Sequence, residues 1–133
     1  TYATIKYSNS SSKKVGTYTV KVTLKGKYSG TKTLSYKINP RAVSIKKLTP
    51  ALRAFTVKWS TTSSATGYQI QYATKSDFSN KDTITVKGYK NSSKKITYLR
   101  GKRKYYVRIR TYKTVGDKKY YSSWSSKSTV KTK

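Results

Sequence analysis

Histidine, cysteine, methionine and glutamate are absent from this 133-residue chain, and its acids are three aspartates, Asp77, Asp82 and Asp117. Without histidine or cysteine there is no Ser-His or Cys-His nucleophile pair and no imidazole or thiolate metal site. A glycosidase-like carboxylate pair would need two of the three aspartates to converge in one pocket, and Asp117 falls in a Gly-Asp turn. These gaps point to a non-enzyme with no cofactor, no metal and no small-molecule substrate. The missing cysteines exclude disulfides, so stability has to come from packing. No run of about 18 apolar residues occurs, which excludes a membrane-spanning helix. The Thr-Tyr-Ala-Thr start has neither the charged nor the apolar region of a signal peptide. A chain of this length has room for one ordinary domain or two small ones, with a modest core and no large catalytic cleft.

What the chain does have is tyrosine, valine, isoleucine and threonine, alternating with lysine in short runs that glycine, asparagine and serine separate. No stretch keeps an apolar stripe at i, i+3 and i+4, so the pattern is all-β. In the first part it predicts strands over Tyr2–Tyr7, Thr17–Lys25 and Lys32–Ile38, with turns over Ser8–Gly16 and Gly26–Gly30. Tyr18, Val20, Val22 and Leu24 share one face of the second strand, while Thr17, Thr19, Lys21, Thr23 and Lys25 share the other, giving one buried and one wet face. Pro40 breaks the pattern because proline cannot donate to a strand ladder, and this sets a boundary at about residue 40, between domains 1–40 and 41–133. The second part has room for seven strands, over Ala42–Lys47, Ala54–Ser60, Gly67–Thr74, Thr83–Lys87, Lys94–Tyr98, Lys104–Lys113 and from Lys119 onward with an interruption near Trp124. Alternation puts Phe55, Val57, Trp59, Tyr68, Ile70, Tyr72, Tyr105, Val107 and Ile109 in the core.

Three stretches of the second part, "FTVKWS", "GYQIQYATKSDF" and "LRGKRKYYVRIRTY", resemble strands B, C and F of a fibronectin type III domain. That family has a core Trp, a core Tyr, and a Leu six residues before a further core Tyr, matched here by Trp59, Tyr68, Leu99 and Tyr105. The resemblance implies a seven-stranded sandwich of two sheets, an architecture used by spacers, adhesins and receptors alike. The first 40 residues, with "YSNSSSKKVGTYTVKVTLKGKYSGTKTLSYKI", are similar to the C-terminal half of the Ig-like repeats of secreted and surface proteins of Gram-positive gut bacteria. Such a partial Ig-like sheet of about three strands needs its apolar face covered, and it is expected to pack on the second module or a neighbouring chain. "YSSWS", residues 121–125, resembles the Trp-Ser-x-Trp-Ser motif of cytokine-receptor type III domains, with Tyr in the first Trp position. In that family the rings interleave with strand F arginines, which here implies a ladder of Tyr106, Arg108, Arg110, Tyr112, Tyr121 and Trp124. Tyr121 and Trp124 would face opposite sides of a regular strand, but polyproline II geometry, with three residues per turn, brings them together. The ladder is read as holding the sheet; a stacking platform for sugars or nucleobases is the alternative.

Charge is the feature that calls for a partner. Lysine and arginine total 31, a formal net charge of +28. Residues 1–40 hold eight lysines and no acid, and residues 41–133 hold 23 bases against three acids. A coat this even argues against sequence-specific nucleic-acid reading, which presents a helix or ribbon to base edges. It suits a polyanion met as a charged surface, with Lys102, Arg103, Lys104, Lys118 and Lys119 as candidate contacts. The expected function is therefore a non-catalytic accessory module that attaches a secreted or surface bacterial protein, outside the cell, to anionic cell-wall polymers such as teichoic acid or to acidic glycans. The alternatives are a spacer that binds nothing and a carbohydrate-binding module.

Overall fold

Alternation of strand-forming residues with lysine and threonine builds eleven strands and, among the described residues, no helix. In this computed structural model the chain divides into two compact units, residues 1–39 and 40–133. The structure describes residues 3–7, 14–24 and 30–133. Tyr2, Lys25 and most of the two turns expected in the first part lie outside the described residues.

The first unit is an antiparallel sheet of β1 (Ala3–Tyr7), β2 (Gly16–Leu24) and β3 (Gly30–Ile38), with β2 in the middle. Register sets Val20 opposite Tyr7 and Leu34, and Val22 opposite Ile5. Tyr18 lies opposite Tyr36, with ring centroids 5.5 Å apart.

The second unit is a two-sheet sandwich. One sheet holds β4 (Ile45–Ala51), β5 (Ala54–Trp59) and β8 (Ser93–Ile96), in the order β4-β5-β8. The other holds β10 (Lys118–Tyr121), β9 (Lys104–Val115), β6 (Gly67–Ala73) and β7 (Asp82–Lys87), while β11 (Ser128–Lys131) pairs with the opposite half of β9. β10 and β11 are thus two halves of one edge strand, interrupted over residues 122–127. The edge strand expected over Ala42–Lys47 instead runs Ile45–Ala51, with a bulge between Ile45 and Lys47. It continues through Pro50, which sits opposite Phe55. An edge strand has one side free of ladder bonds, and that is where proline can be carried.

Eight of the nine residues expected in the core are buried, and Tyr72 is partly buried against them. Inward residues of both sheets interlock: Phe55 lies 5.8 Å from Tyr105, and Trp59 lies 5.3 Å from Tyr68. Val43, Ile96, Leu99 and Val130 complete the cluster. Each fully buried aliphatic or aromatic side chain here contributes about 1.5–3 kcal/mol relative to exposure. The buried phenols find partners: Tyr68 Oη donates to the Tyr89 carbonyl at 2.6 Å, and Tyr105 Oη accepts from the Arg100 N–H at 3.0 Å. The buried indole N–H of Trp59 has no partner among the described residues.

Gly67 opens β6 opposite Tyr112 of β9. A Cβ there would stand 2.3 Å from the Val86 carbonyl oxygen and 2.8 Å from Tyr112 Oη, so only glycine lets the tyrosine ring lie across the backbone. Gly116, in the two-residue turn between β9 and β10, has φ +59 and nothing within 4 Å of its Cβ position. The two glycines should therefore differ on replacement. We expect Gly67→Ala to lower unfolding free energy by about 3 kcal/mol through overpacking, and Gly116→Ala by about 1 kcal/mol through backbone conformation alone. Equal losses in denaturant titrations would contradict this assignment.

Candidate functional site

The outer face of the larger sheet is set by the pairing of β6 with β9, which places Gln69 opposite Arg110 and Gln71 opposite Arg108. Each glutamine carbonyl accepts two N–H bonds from its arginine. Arg108 donates from Nε at 2.9 Å and Nη2 at 2.7 Å, and Arg110 from Nε at 3.0 Å and Nη2 at 2.8 Å. One edge of each planar guanidinium is thereby fixed, and both flat faces stay open to stacking.

The interrupted segment supplies rings for those faces. Thr111 N–H donates to Ser122 Oγ at 2.9 Å, and Ser122 N–H donates to the Thr111 carbonyl at 3.1 Å. Ile109 N–H donates to Ser125 Oγ at 3.0 Å, and Ser125 N–H donates to the Ile109 carbonyl at 2.8 Å. Three residues of this segment therefore advance along two residues of β9, and Tyr121 and Trp124 both reach the arginine face. Trp124 lies 4.6 Å from the Arg108 guanidinium and 4.4 Å from that of Arg110. Tyr121 stacks on Arg110 at 3.9 Å, and Phe78 stacks on Arg108 at 4.2 Å. The resulting column runs Phe78, Arg108, Trp124, Arg110, Tyr121.

Phe78, Gln69 and Gln71 were absent from the sequence-derived ladder. Phe78 sits in the β6–β7 loop at φ +58, a conformation that costs a bulky residue about 1–2 kcal/mol. Its signal in the sequence is slight: it is the lone aromatic of the polar stretch 74–82. The glutamines meet the arginines only through the β6–β9 register, which joins residues 37 and 41 positions apart.

Two expected ladder members stand apart from the arginines. Tyr106 is covered by lysines, with Lys104 Nζ 5.2 Å and Lys127 Nζ 5.7 Å from its ring centroid. Tyr112, expected to face outward, is 4% exposed, because its ring fills the space Gly67 leaves and Lys119 Nζ approaches it at 5.4 Å. Burial, and then Tyr121, hold the Tyr112 hydroxyl above the ordinary phenol value. Burial likewise lowers the Arg110 guanidinium, with Tyr121 opposing and Arg108 adding to the shift.

The proposed polyanion contacts do not form one patch. Lys102, Arg103 and Lys104 lie at the start of β9, whereas Lys118 and Lys119 lie on β10 beyond its far end. A strand of 12 residues puts about 35 Å between them. The aspartates are dispersed: Asp77 accepts the Ser79 N–H at 3.0 Å in the β6–β7 loop, Asp82 begins β7, and Asp117 lies in the β9–β10 turn. That hydrogen bond from Ser79 lowers the Asp77 carboxyl below its usual value. Among the described residues no group of three or more His, Cys, Asp or Glu could hold a metal, and no helix is long and apolar enough to cross a membrane.

Two antiparallel sheets of seven strand positions, with the Arg100 N–H donating to Tyr105 Oη just ahead of β9, define an immunoglobulin-like sandwich. The model of the fibronectin type III domain matches residues 39–128, and the chain belongs to that family, whose domains are typically non-catalytic structural or accessory modules. No curated protein matches this chain. Among solved structures, the two-domain fibronectin type III segment of chicken tenascin superposes with TM-score 0.58 at 21% identity, over 89% of this chain and 66% of that one. A myokine structure gives TM-score 0.52 at 19% identity, over 71% of this chain and 95% of that one. A β-1,2-glucanase from Parabacteroides distasonis gives 0.56 at 12% identity, over 86% of this chain but 18% of the enzyme. At these identities the likeness is one of fold.

If the column holds the sheet, removing its centre should be costly. Trp124→Ala takes a ring from two guanidinium groups at once and should lower unfolding free energy by about 2 kcal/mol. Arg110→Lys should lose much of the same stabilisation, since an ammonium cannot keep both the paired bonds to Gln69 and the flat stack. Denaturant midpoints that match the unsubstituted protein in both variants would show the column to be incidental.

Proposed function

We propose that this chain is a non-catalytic accessory module of an extracellular bacterial protein, attaching it by charge to an anionic cell-wall polymer such as teichoic acid. The reading rests on one observation above others: 31 basic residues stand against three acids, and the fold sets lysine directly opposite lysine in both sheets of the second unit. The pairs are Lys47 with Lys58 and Lys104 with Lys131. Like charges in directly opposed positions destabilise a sheet by about 0.2–1 kcal/mol each. A sequence selected only for a solubilising coat would use aspartate and glutamate to better effect. A polyanion laid across such pairs turns repulsion into attraction.

The stacked column bears on the alternatives. Trp124 and Tyr121 have arginines on their faces, and Tyr106 and Tyr112 lie under lysines. An open row of coplanar rings, which a carbohydrate-binding module needs, is not what this face offers. A pure spacer needs no excess of one charge, and the lysine-on-lysine register weighs against it.

Binding through many weak lysine contacts releases counterions from the polymer, so affinity should fall steeply with salt. We expect retention on purified Gram-positive wall at about 50 mM salt, loss of about a thousandfold in affinity by about 200 mM, and little retention on wall stripped of teichoic acid. Retention that does not change with salt, or no retention in dilute buffer, would reject the proposal; the second result would leave a spacer.

A further inference from the structure

Six of the 31 basic residues are arginines, and their positions are informative. Arg108 and Arg110 are consumed by the column. Arg53 Nε donates to the Leu99 carbonyl at 3.1 Å, and Arg41 lies at the other end of the sandwich, beside residues 60–62. The remaining two, Arg100 and Arg103, line a cleft of about 330 Å³ together with Lys75, Tyr72, Asn80 and Asp82. The loop that carries them is fixed through its backbone. Tyr105 Oη accepts the Arg100 N–H at 3.0 Å, Thr132 Oγ1 donates to the Arg100 carbonyl at 2.5 Å, and the Arg103 N–H donates to Thr132 Oγ1 at 3.0 Å. The Thr132 N–H donates to the Arg103 carbonyl, also at 3.0 Å. Tyr105 and Thr132 are themselves buried. Between the arginines Lys102 adopts φ +52, a conformation that non-glycine residues avoid unless the surroundings hold them there. Neither guanidinium donates a hydrogen bond among the described residues, so a fixed backbone presents two unspent planar donors to one cleft.

We propose that this cleft binds one repeat of a polyol-phosphate polymer: Arg100 and Arg103 take the phosphodiester oxygens, and Asp82 accepts a hydroxyl of the adjoining polyol. The proposal deepens the wall-attachment reading by naming where the polymer is recognised and which chemistry is read. Planar guanidinium groups match two phosphate oxygens at once, which the lysine coat cannot do. Lys75 adds a third positive charge, and the Tyr72 hydroxyl, kept protonated by burial and then by Asp82, is a further donor. Asp82 gives the site its selectivity. A carboxylate beside the arginines disfavours a bare polyphosphate and is tolerated only where the ligand brings hydroxyl donors.

The test compares two variants of equal charge, Arg100→Gln/Arg103→Gln and Lys47→Gln/Lys58→Gln, for binding to glycerol-phosphate oligomers. Both should flatten the salt dependence to a similar degree, but the arginine pair should lose about tenfold more affinity, because it removes paired charged hydrogen bonds. Equal losses would overturn the cleft while leaving the charged coat; no binding by the unsubstituted protein would remove both. Asp82→Asn should tighten binding of inorganic polyphosphate and weaken that of glycerol phosphate, and an unchanged ratio would overturn the polyol contact. Independently of any variant, glycerol-phosphate oligomers should shield Arg100 and Arg103 from phenylglyoxal more than Arg41 and Arg53. Uniform shielding would count against the cleft.

Discussion

The pairing of β6 with β9 is the constraint on which the second unit depends. One register sets Ile70 opposite Ile109 on the core side and, on the outer side, Gln69 opposite Arg110 and Gln71 opposite Arg108. It also puts Gly67 where the ring of Tyr112 must lie. A slip of one residue would turn the isoleucines to water and the glutamine–arginine pairs into the core. Core and column are therefore two faces of the same decision, and each penalises the registers that would break the other.

The column answers a difficulty peculiar to this composition. In a chain with three acids, guanidinium groups have few carboxylates to meet. The fold gives them neutral partners instead, an amide carbonyl at the edge and aromatic rings on the faces. Each contact is modest, about 0.5–2 kcal/mol for a stacked cation depending on desolvation, but none requires a second charge to be buried. The arrangement also keeps two cations close together: Arg108 and Arg110 share Trp124, which separates them with the negative face of its ring system. Elsewhere the register sets Lys47 opposite Lys58 and Lys104 opposite Lys131, so each meets another cation across its sheet. A fibronectin type III sandwich does not in itself imply an activity, so it is this division, with Arg108 and Arg110 taken up by the column and lysine set opposite lysine elsewhere, that directs attention to an anionic partner.

Much of this was legible in the sequence, and the reasons differ by element. Period-two alternation located nearly every strand of the second unit and eight of the twelve residues of its buried cluster, because the central strands each have one dry face. The resemblance of "YSSWS" to the Trp-Ser-x-Trp-Ser motif, rather than strand alternation, placed the rings of Tyr121 and Trp124 on one side. The first strand of the sandwich, expected over Ala42–Lys47, runs Ile45–Ala51 and carries Pro50, which its edge position allows. Phe78 could not be found from pattern, since it reaches the column from a loop through a left-handed backbone. Tyr112 obeys the alternation of its strand but is covered by the glycine opposite, a pairing between residues 45 positions apart that no local window contains. The Arg100–Arg103 cleft is of the same kind, being assembled from a loop, the start of β7 and the end of β6.

The central claim is that Arg108 and Arg110 belong to the fold and that the partner is met by other cations. It is tested most directly by following the arginine side-chain Nε–Hε resonances while an anionic wall polymer is added. The account predicts that Arg108 and Arg110 give slowly exchanging signals that stay in place as the polymer binds, while lysine Nζ signals move. If instead the Arg108 and Arg110 signals shift on binding and the lysines remain still, the column is the binding site and the account is wrong.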